Sequence, residues 1–329
     1  MDRRIINALQ IAPRAPFARI APVLGVSEQT VARRYQRLRS SGVIRVLARP
    51  EPIRQPGSKY WTLRIGCRPG TAGALADALA GRDDTSWISI GAGGAEITCL
   101  TTVAEDDRAG LLDRLPRASN VLTFSAHQML HRFPGRGEKD WIAADDPLDD
   151  DQRAAIEENP GITTVDAGRS ARLEPSDGPL LEALARDGRA SWSALAEATG
   201  WSERQVAQRV AALLSAAAIS FYLDIADAAV GIHSVANLWF TVAPADLAVV
   251  GAQVADHAEV AFAAAVTGPT NLMASVRCRD ATALYRYLTT KVAAVNGVRT
   301  VETVPLLTRL KQSHFLIENG QVREPPRPA

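Results

Sequence analysis

The feature that most restricts how this chain can fold is an internal repeat. Sliding the 329-residue sequence along itself until Asp2 meets Asp177 aligns Asp2–Ile44 with Asp177–Ile219 without a gap, and roughly a third of the positions are identical. The coincidences include Ala8/Ala183, Leu9/Leu184, Arg14/Arg189, Ala21/Ala196, Gly25/Gly200, Ser27/Ser202, Glu28/Glu203, Val31/Val206, Arg34/Arg209, Leu38/Leu213 and Ile44/Ile219. Where the copies differ, Ile20/Leu195 and Val26/Trp201 stay apolar. Such a chain needs one local fold that works twice.

Each copy reads as three helices. Ile5, Ile6 and Leu9 (Leu180, Leu181 and Leu184 in the second copy) mark the first, and Ile20, Ala21 and Leu24 the second. Pro22 should keep the second helix short or bent, because proline removes one backbone hydrogen bond. Gly25 supplies a residue able to take positive φ, and Ser27 is placed to cap a third helix from about Glu28 to Ser40. Val31, Tyr35 and Leu38 fall on one face of that helix. Two short helices joined by this turn make a helix-turn-helix.

Behind each helical part the period changes from helical to alternating. Trp61, Leu63, Ile65 and Cys67 alternate with polar or small residues, as a half-buried strand does. A helix with Leu75, Ala78 and Leu79 follows, then strands near 86–90 and 96–103, a helix around 108–115 and a strand around 121–130. The second copy repeats this: a strand with Leu238, Phe240 and Val242, a helix opened by Pro244, strands near 260–266 and 272–278, a helix around 281–293 and a strand near 300–307. The expected fold class is α+β, two repeats of a (winged) helix-turn-helix followed by a βαββαβ ferredoxin-like domain. Helices cover only one face of such a sheet, so the other face calls for the second copy's sheet or another chain. The expected boundaries are 1–50 and 177–222 for the helix-turn-helix units and 59–133 and 233–312 for the sheet domains. Residues 134–176, acidic around Asp145, Asp146, Asp149, Asp150 and Asp151, read as a linker.

Charge separates the two helical copies. The net charge of +1 hides ten arginines against two acids in residues 1–50, a formal +8. On the third helix Gln29, Thr30, Arg33, Gln36 and Arg37 face away from Val31, Tyr35 and Leu38. Gln and Arg near the start of such a helix are the side chains that pair bidentately with adenine and guanine edges in the major groove. The DNA-contact set expected is Ser27, Gln29, Thr30, Arg33, Arg34, Gln36, Arg37, Arg39 and Arg45. Arg37, Arg39 and Arg45, with Arg49, are better suited to phosphates. Arg34 recurs as Arg209, which fits a structural role as well as a DNA contact. From Asp177 to Tyr222, by contrast, four arginines meet five acids, and the third helix ends in Ala211-Ala212-Leu213-Leu214. That copy is expected to serve packing, since little is left to neutralise phosphate.

Other functions find little support. The most apolar long stretch, 247–266, is interrupted by Asp256, His257 and Glu259, so no membrane span of ordinary length is expected. Cys67, Cys99 and Cys278 lack metal-ligand spacing, and with no unbroken apolar leader at the start the simple expectation is a reduced, cytoplasmic compartment. His127, His131, His233, His257 and His314 form no metal or catalytic cluster along the sequence, and no nucleophile motif or phosphate loop occurs. No metal, cofactor or catalytic residue is expected, and the chain is not expected to be an enzyme.

The order of parts resembles the Lrp/AsnC family of transcription regulators, in particular actinobacterial members with two such units in one chain. The resemblance is carried by 24–34 (LGVSEQTVARR), 41–45 (SGVIR), 267–272 (TGPTNL), 276–280 (VRCRD) and 297–303 (GVRTVET). It implies double-stranded DNA as partner, homodimers or higher homo-oligomers, and a small effector, commonly an amino acid, near the Gly-rich turn between the middle sheet strands. On that basis Gly268, Thr270 and Asn271, and in the first copy Gly91 and Gly93, are the expected effector residues. A plain hairpin turn explains the same glycines. Siroheme decarboxylases share this architecture and give the alternative reading, an enzyme acting on a tetrapyrrole. They call for His and Arg gathered in a sheet-lined pocket, and the sequence discloses no such cluster, with Trp239-Phe240 after Asn237 only a faint echo.

Overall fold

The computed structural model describes residues 1–50, 58–104, 110–135, 141–142, 148–157, 172–313 and 315–323. Asp145 and Asp146 of the acidic run, together with Arg108 and His314, lie outside the described residues. The described residues form two compact units that interleave the copies: Met1–Pro56 with Ile142–Ala226, and Gly57–Trp141 with Asp227–Ala329. Each helical part is therefore joined to the other helical part, and each sheet to the other sheet.

In the first unit α1 (Asp2–Ile11), α2 (Phe17–Leu24) and α3 (Glu28–Ser40) enclose Ile5, Ile6, Leu9, Ile20, Val31, Tyr35 and Leu38. α2 spans eight residues with Pro22 inside it and stops at Gly25, whose φ of 66° is the left-handed conformation that ends a helix cleanly. Ser27 then caps α3, its Oγ accepting from the Thr30 amide at 3.2 Å. A strand, β1 (Ile44–Pro50), completes the wing. The second copy repeats these parts in α7 (Gly178–Arg186), α8 (Trp192–Thr199), α9 (Glu203–Ser215) and β6 (Ile219–Ile225), with Gly200 at φ 73° and Ser202 as cap.

The two helical copies are joined about a local pseudo-two-fold. β1 and β6 pair antiparallel with Leu47 opposite Tyr222, its own repeat equivalent. Arg14 donates to the carbonyls of Gly188 and Ala190, at 2.7 and 3.0 Å, and Arg189 donates to those of Pro13 and Ala15, at 2.6 and 2.9 Å. Each guanidinium also lies over the other copy's aromatic, Arg14 over Trp192 and Arg189 over Phe17. The identity Arg14/Arg189 thus marks the contact between copies. Within the stretch read as a linker, α6 (Asp150–Glu157) packs against α1 and α2 through Ile156. Gln152 of α6 accepts from Arg4 and donates to the Val23 carbonyl.

The second unit contains two four-stranded sheets. The first copy supplies β2 (Ser58–Cys67), α4 (Ala72–Ala80), β3 (Thr85–Gly91), β4 (Glu96–Ala104), α5 (Leu111–Arg114) and β5 (Val121–Arg132). The second supplies β7 (Ser234–Val242), α10 (Leu247–Ala255), β8 (Val260–Val266), β9 (Leu272–Cys278), α11 (Ala281–Tyr287) and β10 (Val298–Arg309). α10 starts three residues after Pro244, which lies in the preceding turn. The order β3-β4-β2-β5 recurs as β8-β9-β7-β10, the ferredoxin-like arrangement in both. Edge strands then join across copies, β5 to β8 and β10 to β3, closing an eight-stranded barrel that leaves neither sheet with an open edge. Residues 63, 65, 97 and 99 pack outward under α4 and α5, and residues 236, 238, 240, 272, 274 and 276 pack under α10 and α11. Alternation turns the intervening residues of these strands toward the barrel interior. A small sheet of β11 (Lys311–Gln312), β12 (Phe315–Glu318) and β13 (Gln321–Arg323), which the sequence pattern did not announce, follows β10.

Candidate nucleic-acid interface

α3 turns three residues into the core and presents the rest. Gln29, Arg33, Gln36 and Arg37 are exposed, with Ser27 at the helix start, while Thr30 is half-buried and shares a hydroxyl hydrogen bond with Ser27. Arg33 makes no ion pair among the described residues. Arg33, Arg34 and Arg37 line an open cleft of about 230 Å³. This is a cationic surface carrying amide side chains, able to meet phosphates and base edges together.

Arg34, Arg37 and Arg39 of the expected set are held by carboxylates. Arg34 donates to Asp2 at 2.6 Å, and its repeat equivalent Arg209 grips Asp177 through Nε and Nη2 at 2.8 and 2.7 Å. Both pairs fasten the third helix to the start of the first, which is the structural role the recurrence of Arg34 allowed. Arg39 pairs with Asp187 of the other copy at 2.8 Å. Arg45 is half-buried on β1, in register with Asp224 of β6. Arg37 is also held by Asp2, at 2.5 Å, although its side chain is 64% exposed.

Asp2 was missed as a site residue, although a signal for it existed: acid and base recur together, as Asp2/Arg34 and Asp177/Arg209. Burial pushes the Asp2 carboxyl upward, but hydrogen bonds and charge from Arg34 and Arg37 outweigh it and hold it below its ordinary value. Asp177 shows the same balance, with Arg209 prevailing over burial.

On α9 the equivalents of the α3 reading residues are Arg204, Gln205, Gln208, Ala211 and Ala212. Arg204, Gln205 and Gln208 are exposed, but Gln205 is taken up in a capping box with Ser202. Ala211 is buried where Gln36 is exposed.

The expected effector turns sit where the barrel closes. Gly268 adopts φ 112° and lies against His127, whose Nδ1 would be 2.6 Å from a Cβ there. His127 Nδ1 is 2.7 Å from the Thr267 carbonyl and so carries the hydrogen of that contact, leaving Nε2 to face Ser125 Oγ at 3.2 Å. Asn271 spends its amide on the backbone of Val242, accepting from the N–H at 2.9 Å and donating to the carbonyl at 2.8 Å. Thr270 is half-buried and makes no such bond among the described residues. In the first copy Gly91 packs on Pro305, whose carbonyl would lie 2.9 Å from a Cβ, and Gly93 takes φ 68° in an open turn. The structure therefore keeps the two turns apart, each packed on the other copy's last strand.

The barrel interior gathers side chains that sequence reading did not bring together. By strand register Arg64 and Trp239 are equivalent positions of β2 and β7, and they stack 5.0 Å apart. Arg64 also donates to both carboxylate oxygens of Glu96 and of Glu302. Hydrogen bonding by Glu302 leads the influences that raise its pKa, and Glu302 is held below its ordinary value in return. The His127 ring lies 5.3 Å from fully buried Trp239. Strand alternation placed each residue inward, but only the pairing of the two sheets made them neighbours. Cys67, Cys99 and Cys278 are buried thiols, and burial pushes Cys99 up to about 12 and Cys278 up to about 11. No group of three His, Cys, Asp or Glu residues suited to a metal occurs among the described residues.

A basic winged helix-turn-helix joined in one chain to a ferredoxin-like sheet defines a class of DNA-binding proteins. Comparison with known proteins makes the class specific. Residues 1–39 and 175–214 match the AsnC-type helix-turn-helix domain, and residues 235–315 match the Lrp/AsnC ligand binding domain. An uncharacterized HTH-type transcriptional regulator of Pyrococcus abyssi is 30% identical over 145 residues, 44% of this chain and 91% of the relative. Another, of Pyrococcus horikoshii, is 29% identical over 152 residues, 46% of this chain and 96% of the relative. The chain belongs to the Lrp/AsnC family of helix-turn-helix transcriptional regulators, and its place in transcription regulation follows from that membership.

One expectation is corrected. A crystal structure of the siroheme decarboxylase NirDL matches with a TM-score of 0.61, covering 95% of this chain and 93% of its own at 11% identity. At that identity the likeness is one of fold, but the fold it shares is an enzyme's. The expectation that the chain is not an enzyme falls with it, and so does its ground, since Arg64, His127 and Trp239 do gather on a sheet-lined interior.

Proposed function

We propose that this regulator reads double-stranded DNA in a sequence-specific way through α3 of its first helix-turn-helix. The observation that carries the reading is the contrast between equivalent positions. Gln29, Arg33, Gln36 and Arg37 stand exposed on α3, whereas α9 offers Ala211 and Ala212 at the last two. Gln29, Arg33 and Gln36 are assigned to base edges, and Ser27 and Thr30 to the phosphate at the helix start. Arg34 serves mainly to fasten α3 to α1, and Arg39 to hold the two copies together. The second helix-turn-helix acts as the first one's packing partner.

With one basic reader per chain, a two-fold operator with half-sites about one helical turn apart requires two chains, so a homodimer or higher homo-oligomer is proposed. The expected boundaries, 1–50, 59–133, 177–222 and 233–312, are retained as functional divisions. The chain is read as a fused pair produced by duplication, of the actinobacterial kind, working in the cytoplasm where its DNA lies. A small effector such as an amino acid is placed at the turn of Gly268 and Thr270, with Gly91 and Gly93 as its first-copy equivalent. Asn271 supports that turn from behind through Val242. A thermal-shift screen of the amino acids tests the effector; no stabilising ligand would end that assignment.

A second reading is favoured by one observation, the Arg64–Trp239–His127 cluster. Arg64 and His127 beside an indole are the side chains an acidic, planar ligand would use on displacing Glu302 from Arg64, and the NirDL structure was determined with an iron-uroporphyrin III analogue. Titration of this protein with an iron porphyrin bearing carboxylates, followed by absorbance, tests it. An Arg64→Ala-sensitive spectral shift supports this reading, and an unchanged spectrum rejects it.

A further inference from the structure

Asp2 does in the first helix-turn-helix something its counterpart does not do in the second. Asp177 gives both oxygens to one guanidinium: Oδ1 accepts from Arg209 Nε at 2.8 Å and Oδ2 from Nη2 at 2.7 Å. Asp2 divides its carboxylate, Oδ1 accepting from Arg34 Nη1 at 2.6 Å and Oδ2 from Arg37 Nη2 at 2.5 Å. The residue equivalent to Arg37 in the second copy is Ala212. Fastening the third helix to the first therefore needs one arginine, as the second copy demonstrates. The additional bond occurs only in the copy with a basic reading face, and it goes to an arginine of that face.

We propose that Asp2 is a charge gate on the reading helix, holding Arg37 in an ion pair that keeps it from a DNA phosphate. The inference rests on DNA binding through α3. Arg37 is exposed and shares with Arg33 and Arg34 the open cleft of about 230 Å³. Carboxylate and phosphate compete for the same guanidinium donors, and Asp2 already occupies those of Arg37. Asp2 thereby weakens attachment to DNA of every sequence while leaving Gln29, Arg33 and Gln36 to read bases. Asp2 acts through Arg37 and is a positioning residue.

The test is fluorescence anisotropy of a labelled duplex of mixed sequence, about 30 base pairs long, titrated at KCl from about 50 to 300 mM, where each phosphate contact adds about 0.9 to the salt slope. Asp2→Asn is expected to bind several-fold tighter, with a slope steeper by about 0.9. In an Arg37→Ala background the same change is expected to gain nothing. Asp177→Asn, the control, lowers thermal stability and leaves the slope alone. In the otherwise unchanged protein Arg37→Ala keeps the slope, because its guanidinium is already held by Asp2, and this measurement stands even if Asp2→Asn folds poorly. The gate is overturned if Asp2→Asn, folded, matches the parent, if its gain survives Arg37→Ala, or if Arg37→Ala alone lowers the slope by about 0.9. If the parent shows no salt-dependent binding at all, DNA reading through α3 falls and the gate falls with it.

Discussion

Arg14→Ala probes the joint between the two helical copies, and the structure sets its size. The guanidinium makes two charge-assisted hydrogen bonds, to the carbonyls of Gly188 and Ala190, worth about 1.5–3 kcal/mol each. Stacking 4.4 Å above Trp192 adds about 0.5–2 kcal/mol. Against this stands the cost of keeping the charge out of water. Burial, with repulsion from Arg189 behind it, lowers the Arg14 pKa to about 10, a cost of roughly 3–4 kcal/mol at about 1.4 kcal/mol per unit. The net loss expected on removing the side chain is about 1–5 kcal/mol, centred near 3, because two carbonyls also lose their partners. Urea unfolding followed by circular dichroism measures it, given an unchanged m-value. Arg189→Ala should cost a similar amount. The double variant should cost less than the sum of the two, since each arginine orders the loop that carries the other. A loss under about 0.5 kcal/mol, or strict additivity, would refute the claim that these two residues lock the copies together.

Three further outcomes follow from particular contacts. Gly268→Ala must fit a Cβ 2.6 Å from His127 Nδ1 at φ 112°, and should lower stability by about 1–3 kcal/mol, whereas Gly93→Ala, with open space around it, should cost about 1 kcal/mol by thermal melting; equal costs would count against the His127 contact. Asn271→Ala removes both bonds to Val242 and should cost about 1–3 kcal/mol in the absence of any ligand; a variant of parental stability that loses only an effector response would reverse that assignment. Acid titration should expose Asp177, whose carboxyl is held below its ordinary 3.8, so the folded state binds that proton more weakly than the unfolded chain. Its contribution is complete above that value and drains away as pH falls through the lowered one, so the gap in melting temperature between parent and Asp177→Asn should close on acidification; a gap that widens would contradict the sign.

How much of this was legible from sequence depends on the range of the interaction. The helices, the Gly25 and Ser27 signals and the alternating strands are local, and the structure places them within a few residues of expectation. Sequence also showed that Arg34 and Arg209 recur, without saying to what they are bound. Their partners lie 32 residues away, and only packing α1 on α3 brings them together. Pairing between copies was the least legible part. Nothing in the period of β2 or β7 announces that Arg64 will stack on Trp239, because that contact requires two sheets to close edge to edge. The same closure explains why Arg64 and His127, far apart in sequence, show no cluster along the chain. α6 was hidden for another reason: its acidic residues read as solvated chain, and a single buried Ile156 with Gln152 fixes it to α1 and α2.

Of two similar helix-turn-helix units, the first is proposed to do the reading. Binding to the DNA upstream of the gene, measured by gel shift at one fixed salt concentration, tests it with two variants changed at equivalent positions. Gln29→Ala combined with Arg33→Ala should weaken binding by about tenfold or more, as expected when base contacts worth about 1–3 kcal/mol each are lost. Arg204→Ala combined with Gln208→Ala should leave affinity within about threefold of the parent, since few phosphate or base contacts are assigned there. Equal losses from the two variants would contradict the account.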